Sequence, residues 1–129
     1  MPVLVTGAAG FIGFHLIKTL LAAGHDVIGV DNINDYYDPT LKQARLEQLS
    51  ANARFKFHKI DISDRPAVEV LAAEYRDITG IVHLASQAGV RYSLVNPYAY
   101  TQANVEGHLV LLEAARRLKK LEHFVYASS

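Results

Sequence analysis

Short, wholly apolar runs alternate along the chain with longer segments whose apolar residues recur three and four positions apart. Val3-Leu4-Val5 is aliphatic throughout, as suits a strand covered on both faces. Ile12, Leu16, Ile17, Leu20 and Leu21 then repeat at helical spacing, and Gly24 stands where a helix end takes a left-handed residue. Asp26 to Val30 predicts a second strand, ended by Asp31. A polar, aromatic loop leads to Asp38-Pro39, an N-cap followed by proline at the first helical position, and a short helix is expected through Leu41, Arg45, Leu46 and Leu49. Arg54 to Ile60 alternates as a third strand, and Lys56 on that alternation points to a sheet edge. Ser63 and Asp64 can cap the next helix, which carries Val68, Leu71, Ala72 and Tyr75, with Pro66 in its first turn. Gly80 to Ala85 is a fourth strand, ending in the small residues Ser86 to Gly89. Asn96-Pro97 opens a long helix expected to reach about Lys120 through Asn104, Gly107, Leu109, Leu112 and Ala115. His123 to Ala127 forms a fifth strand before Ser128-Ser129.

Strands alternating with helices predict an α/β fold, with parallel strands joined by right-handed crossovers. The expected architecture is a Rossmann-like, doubly wound parallel sheet in the order 3-2-1-4-5, truncated after the fifth strand. Its switch point lies between strands one and four. The turn after strand one, Asp31, Asp61, Ala85 and Ser129 would then share one sheet edge.

That turn is rich in glycine. Gly7 suits a tight exit from the strand, Gly10 a close approach of backbone to a pyrophosphate, and Gly13 close packing of helix on strand. Unpaired N–H groups and the positive dipole end at the helix start then face the phosphates. A ribose-binding carboxylate belongs about 20 residues on, at the end of the next strand. Asp31 fills that place. It would repel a 2′-phosphate, and no arginine follows it immediately, so NAD is expected over NADP. Asp61 either accepts from the adenine amino group or serves its own turn. Tyr36 and Tyr37 either approach the adenine or pack on the domain.

Composition narrows the classes further. The 129 residues amount to one domain, half of them hydrophobic and a fifth charged. Thirteen basic and thirteen acidic residues cancel, which leaves no electrostatic footprint for nucleic acid or an anionic membrane. The absence of cysteine excludes disulfides, thiolate metal sites and a cysteine nucleophile, and it fits the cytoplasm. Met1-Pro2 runs straight into the first strand, so no signal peptide is expected. No apolar run approaches the roughly 18 residues of a membrane span. The histidines lack ligand spacing, no metal is predicted, and His83 reads as a satisfied core histidine.

Thr6-Gly7-x-x-Gly10-x-x-Gly13, Asp31-Asn32, Asp61-Ile62, His83-Leu84-Ala85 and Tyr126-Ala127-Ser128-Ser129 fall in order along nearly the whole chain. Together they resemble the extended branch of the short-chain dehydrogenase/reductase superfamily, the nucleotide-sugar epimerases and dehydratases. Asn32-x-Asn34-Asp35-Tyr36-Tyr37-Asp38-Pro39 and Gln87-Ala88-Gly89-Val90-Arg91-Tyr92-Ser93 look more specifically like UDP-glucuronate 4-epimerases. The resemblance implies an isomerase of sugars for polysaccharide biosynthesis, working by transient oxidation at C4 with NAD. It implies cofactor contacts from Gly7, Ala9, Gly10, Phe11, Ile12 and Gly13, from Asp31, Asn32, Asp61 and Ile62, and from Leu84, Ala85 and Asn104. Gln87, Gly89, Arg91 and Ser129 would meet the substrate, with Arg91 either answering a uronate carboxylate or lying on the surface. Ser129, with Ser128 as the lesser choice, carries over the serine or threonine beside the reacting carbon.

The family's catalytic tyrosine is followed four residues on by a lysine that favours the tyrosinate. No tyrosine of this chain is followed so. The chain is therefore expected to be the N-terminal NAD-binding part of an epimerase, itself inactive, its parent a homodimer through two helices of which the one from Pro97 is the first. Two rivals stand beside this: a dehydratase or decarboxylase on the same scaffold, and a dinucleotide-sensing module without chemistry.

Overall fold

The computed structural model describes residues 1–128. Five parallel strands, β1 (Pro2–Thr6), β2 (Asp26–Asp31), β3 (Phe55–Lys59), β4 (Gly80–His83) and β5 (His123–Tyr126), lie in the order β3-β2-β1-β4-β5. This is the expected doubly wound order, with β1 pairing β2 on one side and β4 on the other. Alternation along each strand feeds two cores. Val5 and Val27 pack with Phe14 and Ile17 of α1 (Phe11–Ala22) and with Leu46 and Leu49 of α2 (Pro39–Ser50). Leu4, Ile28 and Ile81 pack on the opposite face with Val68 and Leu71 of α3 (Arg65–Glu74) and Leu111 of α5 (Gly107–Arg117). Lys56 is exposed on β3, an edge strand as expected.

The helix ends follow local chemistry. Asp38, Asp64 and Asn96 each accept from a first-turn backbone N–H. At the end of α1, Gly24 (φ +90°) donates to Leu21 and His25 to Leu20, the two bonds of a Schellman close.

Several details differ from expectation. In α1 the inward positions are Gly13, Phe14 and Ile17, while Ile12 is exposed. In α2 Leu41 is exposed and Lys42 takes the inward position ahead of Leu46 and Leu49. Tyr75 caps α3 rather than lying within it, and its hydroxyl meets His58 Nε2 at 2.8 Å. The long helix from Pro97 is divided into a first turn α4 (Pro97–Tyr100), a wide π-helical stretch at Thr101–Glu106, and α5. That stretch contains Asn104, whose amide is tied to a neighbouring loop, and is followed by Gly107, which lies flat against Ile62. The helix stops at Arg117 instead of near Lys120, because Leu118 turns extended and buries its side chain in the core.

Candidate dinucleotide site at the carboxyl edge of the sheet

Thr6 ends β1, and its hydroxyl organises the switch point. Oγ1 accepts from the N–H groups of Leu84 and Ala85, each at 3.0 Å, and lies 2.7 Å from His83 Nδ1. With both lone pairs used, the hydroxyl proton goes to Nδ1, so His83 is the neutral Nε2–H tautomer. Burial, with His108 stacked beside it, pushes the His83 pKa down to about 4. Gly7 follows with φ +71°, and a Cβ there would come within 3.0 Å of Ala85 N. The strand ends of β1 and β4 are thereby locked together under the turn.

At the start of α1 the N-cap is Gly10, which offers no side-chain cap. Among the described residues no intramolecular bond engages the first-turn N–H groups of Phe11, Ile12 and Gly13. A Cβ on Gly13 would press into Gly7 O and lie 2.9 Å from Gly7 C, so only glycine brings helix and turn this close. Phe11 and Ile12 flank the bare N-terminus with exposed apolar side chains. The result is a set of aligned donors beside apolar surface, suited to an anion carrying a flat, apolar partner.

Asp31 ends β2 beside this turn and is 6% exposed. Oδ2 accepts from Ala9 N at 3.1 Å; Oδ1 accepts from Ile33 N at 2.8 Å and from Lys42 Nζ at 3.1 Å. Ile33 is held at φ +53°, a left-handed conformation unusual for a β-branched residue, with its N–H aimed at that carboxylate. Arg45, one turn after Lys42, donates to Ala9 O at 3.0 Å. Lys42 and Arg45 went unrecognised as site residues on reading the sequence. Lys42, Arg45, Leu46 and Leu49 are spaced i, i+3, i+4, i+7 and so share one helix face, but nothing local to α2 marks the lysine that leads it as inward.

The remaining expected residues are placed as follows. Asn32 is exposed beside Asp31, its Oδ1 accepting from Asn34 N at 3.2 Å. Asp61 accepts from Ser63 N and Oγ through Oδ1, its turn role, on the same sheet edge as Asp31. Ile62 buries its side chain against Gly107, which leaves only its main chain toward that edge. Asn104 spends its side chain on Gln87, accepting from Gln87 N at 2.8 Å and donating to Gln87 O at 3.1 Å. The Gln87 side chain is buried and donates to Ala88 O. Gly89 has φ +91° and lies under the Tyr36 hydroxyl, where a side chain would collide. Tyr36 packs on Tyr92 and on its neighbour Tyr37, which is itself exposed. Arg91 is exposed at the head of a 3-10 turn, Arg91–Leu94. Ser128 follows β5 and is exposed; Ser129 lies outside the described residues.

A glycine turn, a bare helix start and a buried carboxylate thus meet at the switch point of a doubly wound sheet. The family model described as GDP-mannose 4,6 dehydratase matches residues 4–129. The chain belongs to that family. Among relatives, it is 49% identical over 110 residues to the UDP-glucuronate 4-epimerase of Thermodesulfobacterium geofontis, a match covering 85% of this chain and 34% of that protein. It is 45% identical over 129 residues to UDP-glucuronate 4-epimerase 6 of Arabidopsis thaliana, covering 100% and 28%. The fold superposes with TM-score 0.89 and 37% identity on the UDP-glucuronic acid 4-epimerase of Bacillus cereus, solved with UDP-glucuronic acid and NAD, covering 100% of this chain and 40% of that one. The chain therefore spans well under half the length of these similar proteins. No helix among the described residues is long and apolar enough to cross a membrane.

Proposed function

We propose that residues 1–129 form the NAD-binding portion of a UDP-glucuronate 4-epimerase. The observation that carries this reading is the buried Asp31 carboxylate set beside the bare α1 N-terminus, across a turn that excludes side chains. NAD, when bound, supplies reversible hydride transfer at the sugar C4. The turn through Gly7, Ala9 and Gly10 lets the pyrophosphate approach, the N–H groups of Phe11, Ile12 and Gly13 hold it, and Asp31 and Asn32 orient the adenosine ribose. Asp61 and Ile62 border the adenine. Leu84 and Ala85, kept in place by Thr6, form the strand end that the dinucleotide crosses, and Asn104 acts there by ordering Gln87. The loop from Gln87 through Gly89 to Arg91 borders the sugar, Arg91 answers the uronate carboxylate, and Ser129 or Ser128 serves as the serine beside the reacting carbon.

The similarity to UDP-glucuronate 4-epimerases, some solved with NAD and UDP-glucuronic acid, supports this choice over a dehydratase on the same scaffold. The same reading makes the whole protein a cytoplasmic homodimer that serves polysaccharide biosynthesis. The chain carries no Tyr-x-x-x-Lys pair, so it binds cofactor without turning over sugar. Calorimetric titration of the folded chain with NAD tests the reading. Saturable binding is expected, and a folded chain that releases no heat and leaves NADH fluorescence unchanged would overturn it.

A further inference from the structure

Resting on that reading, we infer that the choice between NAD and NADP is made by the buried Asp31–Lys42 ion pair, with Lys42 a phosphate-binding cation held in check by the carboxylate. An ionised carboxylate offers about four lone-pair positions. Three on Asp31 are taken, by Ala9 N, Ile33 N and Lys42 Nζ, and the remaining one, on Oδ2, matches a single ribose hydroxyl. The Lys42 side chain is 9% exposed, so its ammonium is positioned by packing on α2 and not by chance on the surface. Two of its three donors have no partner among the described residues. Arg45 adds a second cation from the same helix face, bound to the carbonyl of the very residue whose N–H Asp31 holds.

With Asp31 ionised, a 2′-phosphate meets a carboxylate at the ribose position. With that charge removed, Lys42 is left buried beside the ribose with no anion, and a 2′-phosphate supplies one. Cofactor choice in this chain then depends on the pair, where a bare aspartate would only repel.

The test measures NAD and NADP affinities for the 129-residue chain and the variants Asp31→Asn, Lys42→Met and the double variant, each checked for fold by circular dichroism. The chain itself is expected to prefer NAD. Asp31→Asn is expected to reverse the preference toward NADP, and adding Lys42→Met to return about tenfold of that gain. Lys42→Met alone, which keeps both backbone donors on Asp31, is expected to weaken NADP more than NAD, and this arm stands even where Asp31→Asn fails to fold. If the Asp31→Asn and double variants bind NADP alike, or Lys42→Met leaves the NADP:NAD ratio unchanged, the assignment to Lys42 is overturned while NAD binding stands. A parent chain that binds neither dinucleotide overturns the cofactor reading and this inference together.

Discussion

His83 couples the chemistry of one imidazole to the geometry of the switch point. Its neutral Nδ1 takes the Thr6 proton, and the same hydroxyl holds the N–H groups of Leu84 and Ala85. A protonated ring would present a donor to a hydroxyl with no lone pair left. The folded pKa of about 4 lies below the ordinary 6.5, so the unfolded chain binds more protons across that interval. Stability contributed by the neutral ring is therefore complete above about pH 6.5 and lost as pH falls toward 4, by up to about 3 kcal/mol. Thermal or urea unfolding followed over that range should show this acid limb. His83→Asn, whose Oδ1 can replace Nδ1 as acceptor without titrating, is expected to flatten it. A limb of equal depth in both proteins would assign the loss to carboxylates instead.

The glycine turn and α1 act as one element, and glycine there is a packing requirement. A Cβ on Gly13 meets backbone atoms of Gly7 and Ala8, which cannot rotate away. On Gly80 in β4 a Cβ would sit 3.8 Å from the Val3 side chain, an ordinary contact. Gly13→Ala should therefore cost about 1–3 kcal/mol in urea unfolding and weaken NAD, because α1 must withdraw from the turn. Gly80→Ala should be neutral or stabilising by up to about 1 kcal/mol, through the unfolded chain's lost freedom. Equal effects at the two positions would refute the packing argument. This element was legible in advance because glycine spacing reports a backbone constraint, and Asp31 because it ends an apolar run. Lys42 was not, since a lysine on a helix is ordinarily solvated and only its partner, eleven residues away in sequence, makes it an inward residue. The π-helical stretch was equally hidden. It depends on Asn104 meeting the main chain of Gln87, a tertiary contact that leaves no period in the local pattern.

At the scale of the molecule the two faces of the sheet are finished unequally. α1 and α2 close one core over β1 to β3, and α3 and α5 close the other. Beyond β5, however, no strand pairs among the described residues, and Val125 and Tyr126 on it are more than half exposed. Next to that edge α5 and the π-helical stretch turn Val105, Leu109 and Leu112 outward, at 65%, 57% and 42% exposure. An unpaired strand beside an apolar helix flank is a surface that water disfavours and that another chain can cover. The 129-residue chain is thus expected to self-associate as its concentration rises, seen as a growing weight-average mass in sedimentation equilibrium. Replacing Leu109 and Leu112 with glutamate should return it toward monomer without loss of helix signal or NAD binding, since both side chains already face solvent and neither belongs to the turn. A native chain that stays monomeric at high concentration would mean that the flank is tolerated, and the association argument would fail with it.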